Sequence, residues 1–70
     1  MIQNTTTTRY DVIAVNKDTR KVEVMAENKT LGNTEVAVMM AVSRRGVDTD
    51  FFAVVEAGTF RDGDTYSAKD

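Results

Sequence analysis

Arg9-Tyr10-Asp11-Val12-Ile13-Ala14-Val15-Asn16, then Lys17-Asp18-Thr19-Arg20, then Lys21-Val22-Glu23-Val24-Met25-Ala26-Glu27 is the stretch that decides the fold. In its first part Tyr10, Val12 and Ala14 fall on one side and Asp11, Ile13 and Val15 on the other, the period of a strand. From Asn16 to Arg20 the chain is polar and made of turn formers. Alternation then resumes, with Val22, Val24 and Ala26 one way and Lys21, Glu23, Met25 and Glu27 the other. Two alternating runs joined by a short polar break predict a β-hairpin.

Beyond Glu27 the period changes, and a helix is predicted over about 31–45. Thr30 suits the N-cap, with Asn33 as a weak capping-box analogue. Gly32 is a mild defect in the first turn. Glu35 complements the positive end of the helix dipole, and Arg44 and Arg45 the negative end. Gly46 stands where a left-handed residue would stop the helix. Val47 to Asp50 forms a short connection, and Phe51 to Ala57 reads as a third strand. There Phe51, Ala53 and Val55 oppose Phe52, Val54 and Glu56. Within residues 59–66, Asp62-Gly63 signals a turn, with room for a short fourth strand.

The expected fold class is therefore α+β: a small antiparallel sheet in the order β-β-α-β, with one helix on one face. One domain is expected at 9–66, between flexible tails at 1–8 and 67–70. With 70 residues, such a domain buries only about 60% of the surface its unfolded chain exposes. Efficient packing or self-association must supply the rest, because the sequence has no cysteine and no histidine for disulfides or ordinary zinc sites.

The same absences remove the usual general base and the soft metal ligands. Ser43 and Ser67 have no base near them in sequence. Asp62-Gly63-Asp64 resembles a fragment of a calcium loop but lacks the remaining ligands at the right spacing. Asp48 and Asp50 read as a solvated acidic loop. The glycines at 32, 46, 58 and 63 are too scattered for a phosphate loop. No catalytic residue, cofactor or metal site is expected, and the chain reads as a binding protein rather than an enzyme.

Net charge is −2, with both signs mixed along the chain, which argues against sequence-independent attraction to nucleic acid. Arg44, Arg45, Arg20 and Lys21 could touch phosphates, and Tyr10, Phe51 and Phe52 could stack bases. Glu23, Glu27 and Glu56 on outward strand positions would repel a backbone. No run approaches the roughly 20 apolar residues of a membrane helix. The N-terminus has neither the basic nor the apolar region of a signal peptide, so the expected compartment is the cytoplasm.

The informative feature is an apolar surplus on the helix. Leu31, Thr34, Val38, Ala41 and Val42 cluster on one side, while Val36, Met39, Met40 and Ser43 point largely the other way. One small sheet does not cover both sides. Exposed apolar surface of this kind marks contact sites, and methionine adapts to irregular partners. Three readings stand open: gap-filling core, a homodimer seam, or the docking surface for another protein. The candidate contact residues are Val36, Met39, Met40 and Ser43, with Arg44 as rim.

The runs Tyr10 to Asn16, Met25 to Thr30 and Met40 to Asp48 resemble, over roughly residues 9–58, a family of small uncharacterised bacteriophage proteins. From about Val22 to Val55 the layout of hairpin, Ala26-Glu27-Asn28-Lys29-Thr30, helix, Gly46 and strand is similar in architecture to the small phage inhibitors of host RNA polymerase. The cysteines and tryptophan of those inhibitors have no counterpart here, and no binding residue carries over. The resemblance implies a phage accessory protein in the host cytoplasm that binds and alters a host factor, in host takeover or against host defence. A homodimeric assembly protein and a nucleic-acid-binding module are the alternatives.

Overall fold

A computed structural model describes residues 8–67. The tails expected at 1–8 and 67–70 lie, apart from Thr8 and Ser67, outside the described residues. The elements are β1 (Tyr10–Asn16), β2 (Val22–Lys29), α1 (Leu31–Arg45) and β3 (Asp50–Glu56). The sheet order is β2-β1-β3, and β1 runs antiparallel to both neighbours. The fold is the α+β arrangement expected, with its last strand inserted beside the first. β2 and β3 thus run parallel to each other on either side of β1, and α1 is the crossover between them.

β1 is central, and Asp11 to Val15 are buried without a break. Val12 and Ala14 face α1. Ile13 and Val15 form the opposite core with Val22, against which Val24, Phe51, Ala53, Val55, Phe60 and Tyr66 pack. The helix therefore covers one face and the C-terminal segment the other. This segment was expected to hold at most a short fourth strand, and what forms is a single bridge between Lys21 and Thr65. It still covers the outer edge of β2 at its start, from Val22 to Val24. The Val22 amide donates to the Asp64 carbonyl (2.8 Å), Gly63 N–H donates to the Val22 carbonyl (2.8 Å), and Val24 N–H donates to Asp62 Oδ1 (2.6 Å).

Tyr66 seats this cover. Its ring lies edge-on to Phe51 at 5.4 Å and tilted to Phe60 at 5.5 Å, while the Arg20 guanidinium stands 5.6 Å from Phe51 and 5.5 Å from Tyr66. An aromatic pair contributes about 1 kcal/mol beyond its area, and a cation over a ring a further 0.5–1 kcal/mol or so. Tyr66→Ala is accordingly expected to cost about 2 kcal/mol. In a domain of this size that lowers Tm by roughly 8–16 °C, measured by circular dichroism.

The hairpin closes as the turn chemistry predicts. Asn16 Oδ1 accepts from the amides of Asp18 and Thr19, both at 2.8 Å, and Arg20 takes φ +65° to bring the chain back. In β2 the strict alternation fails. Ile13 pairs with Val24 but Val12 with Ala26, and Tyr10 then pairs with Lys29. Each shift leaves one extra residue on β2, so β2 carries two bulges, the second with Asn28 at φ +60°. Ala26, expected beside Val22 and Val24, is moved to the helix side.

The helix spans the residues expected, but its ends are made differently. Thr30 occupies the N-cap position without a side-chain cap; the Asn33 amide instead donates to the Thr30 carbonyl at 3.0 Å. No acid lies in the first turn, so Glu35 falls beyond the reach of the dipole. Gly46 ends the helix at φ 82°, ψ 164°, positive in φ as expected but extended in ψ, a region open essentially to glycine alone.

Candidate functional site

α1 crosses the sheet with Thr34 and Ala41 buried and Ala37, Val38 and Val42 half-buried. Leu31, expected on this inner side, is exposed instead. It comes two residues after Lys29, which forms the last pair of β2 with Tyr10. The candidate contact residues are all on the outer surface: Val36 is 57% exposed, Met39 70% and Met40 58%, and Ser43 and Arg44 are exposed as well.

A sheet of this width extends beyond the shoulders of one helix. Along the β2 shoulder runs a groove of about 370 Å³ between α1 and β2. Met25 and Ala26 form its strand wall, and Val36, Ala37, Met40 and Ala41 its helix wall. Asn33 and Lys29 line it toward the start of the helix and Arg44 toward the end. The first bulge builds the strand wall, since regular alternation would send Met25 and Ala26 to opposite faces. The helix wall follows from spacing: 36, 40 and 44 lie four apart on one stripe, with 33 and 37 beside it. From Asn33 to Arg44 the helix rises roughly 16 Å.

The structure therefore divides the candidates. Val36, Met40 and Arg44 line the groove, while Met39 and Ser43 stand on the outer ridge of the helix. Met25, Ala26 and Lys29 were not legible as site residues, because the bulge that turns Ala26 to the helix side has no sequence signature.

Arg45, next to Arg44 in the chain, anchors the end of α1. Its guanidinium bonds Glu23 of β2 through Nη1 and donates from Nη2 to Asp50 Oδ2 of β3 at 2.8 Å. The hydrogen bond to Glu23 raises its pKa above that of a free arginine; burial opposes this, and the charges of Asp50 and Glu23 add to the rise. This fork ties the end of α1 to both edge strands, a more specific role than the dipole compensation expected of Arg44-Arg45. Among the described residues Lys29 and Arg44 enter no salt bridge. An apolar lining thus lies between two cations that make no ion pair among the described residues.

The features considered for other chemistry are used structurally. The Asp62 carboxylate holds the Val24 amide, Asp64 holds the Arg61 amide at 2.9 Å, and Asp50 holds Arg45. Among the described residues no three acidic side chains gather as a metal site. The stacking platform is not assembled: Phe51 and Phe52 lie on opposite faces of β3, and Phe51 is engaged by Tyr66 and Arg20. No helix among the described residues is long and apolar enough to cross a membrane. Comparison with known proteins found no matching family, no matching curated relative and no matching solved structure.

Proposed function

We propose that this protein is a non-enzymatic binding module that takes a segment of another protein into the α1–β2 groove. The observation that carries this reading is the pairing of exposed Val36 and Met40 with the bulged Met25-Ala26 wall, between Lys29 and Arg44. An apolar groove with cationic ends fits a short apolar segment flanked by acidic residues. The methionines let the walls adapt to its side chains. Its length suits about three turns of a partner helix. The resemblance to small phage proteins supports a host factor as the partner and the host cytoplasm as the place of action, with modulation of that factor as the outcome.

Met40→Asp tests this directly. The side chain is more than half exposed, so folding is expected to survive with a change within about 0.5 kcal/mol, seen as an unaltered melt to a few degrees. Tagged protein passed through nuclease-treated bacterial lysate is expected to retain one stoichiometric protein, and Met40→Asp to lose it. Equal retention by both forms would place the binding surface elsewhere. Retention that disappears with nuclease would favour nucleic acid instead.

A further inference from the structure

The two edges of the sheet are treated unequally. The first part of β2, Val22 to Val24, is covered by the chain's own residues 62–66, through the bonds from Val22 and Val24. β3 is the other edge. The flanking bonds Lys17 N–H to the Thr49 carbonyl and Ala57 N–H to the Arg9 carbonyl show that odd-numbered residues of β3 bond β1. The amides and carbonyls of Phe52 and Val54 therefore point outward, and no hydrogen bond among the described residues engages them. Edge strands are ordinarily protected by a bulge, a proline or a central charge. β3 has none of these: it pairs with β1 without a register shift from Asp50 to Glu56, and Phe51-Phe52-Ala53-Val54-Val55 is uncharged.

From this edge we infer that β3 pairs antiparallel with β3 of a second copy, making one continuous sheet through both. The strand is complementary to itself. Centred on Ala53, the pairing sets Phe52 opposite the partner's Val54 and Val54 opposite the partner's Phe52, an aromatic with a β-branched residue each time. It also sets the partner's Glu56 opposite Asp50 at each end of the seam, a like-charge pair that works against the central contacts, since the Arg45 guanidinium is shared between Asp50 and Glu23. A two-fold axis at such a pairing is normal to the sheet, so both helices lie on the same side of it. The shelf between them carries Val54, which is 40% exposed in a single copy. The groove between α1 and β2 lies at the other edge and stays open in this assembly.

The test is the mass of the full chain by light scattering and sedimentation from low to high micromolar concentration, with amide exchange by NMR. A dimer is expected, with the Phe52 and Val54 amides protected and their protection lost on dilution. Val54→Lys places a charge on an exposed edge position, and Val54→Pro removes an outward donor without touching the β1 ladder. Each is expected to give a monomer with an unchanged circular dichroism spectrum. A monomer throughout with fast exchange at both amides overturns the inference. So does protection that persists in the monomer, which would assign the edge to another segment of the same chain, or a dimer that both folded variants retain. If both variants unfold, the dilution dependence of the wild-type amides decides.

Discussion

Asp11→Ala is expected to remove about 3 kcal/mol of stability. Asp11 is a buried carboxylate on the central strand, and both oxygens accept from backbone amides: Oδ1 from Asn28 at 2.9 Å and Oδ2 from Gly58 at 3.0 Å. The first bond holds the second bulge of β2, and the second fixes the turn after β3, where Gly58 sits at φ +86°. Hydrogen bonds to a charged group contribute about 1.5–3 kcal/mol each, and alanine leaves both donors without a partner. A domain of this length has only a few to about ten kcal/mol in total. Urea denaturation should show the loss as a lower midpoint with a similar slope. Asp11→Asn keeps one acceptor and should fall between wild type and alanine. A cost below about 1 kcal/mol for Asp11→Ala would mean that water replaces the carboxylate at both amides.

Arg45→Ala is expected to cost a similar amount by a different route. Asp50 is 2% exposed, and its carboxylate is held by Arg45. Removing the cation leaves a buried charge without its partner, which typically costs 3–5 kcal/mol. Glu23, half exposed on the same guanidinium, should contribute less than about 1 kcal/mol when replaced by alanine. A double-mutant cycle separates the two cases. Asp50→Asn in the Arg45→Ala background should recover part of the loss, because the orphaned charge is gone. Arg45→Lys should be intermediate, since an ammonium lacks the fork that spans β2 and β3. The same variant bears on function: with the end of α1 released, the groove loses its fixed width, so partner capture should weaken together with stability. Met40→Asp, by contrast, should weaken capture alone.

The hairpin, the helix and the third strand were legible because each is signalled within its own few residues. Asn16 to Arg20 carries the turn, Thr30 and Gly46 bracket the helix, and Phe51 to Val55 supplies a β-prone run. The exposed stripe of Val36, Met39, Met40 and Ser43 followed from the helical period alone. The opposite wall of the groove was not legible. Strict alternation in Lys21 to Glu27 predicts a regular strand, and what breaks it is the register with β1, where Val24 pairs with Ile13 but Ala26 with Val12, a pairing made across the sheet. Phe60 and Tyr66 were hidden for the same reason. Their spacing marks no strand or helix, and their value lies in Phe51 and Arg20, which meet them only in the folded chain.

By itself the sequence determined which segments are strand, helix and turn, and that apolar residues exceed what one helix face can bury. Those properties rest on backbone preference and side-chain period, which act over neighbouring residues. Only the tertiary structure decided that β3 lies beside β1, that the C-terminal segment covers the second face, and that one shoulder of α1 becomes a groove. These depend on pairings between residues far apart in the chain. A bulge of one residue there redirects a side chain from one face of the sheet to the other.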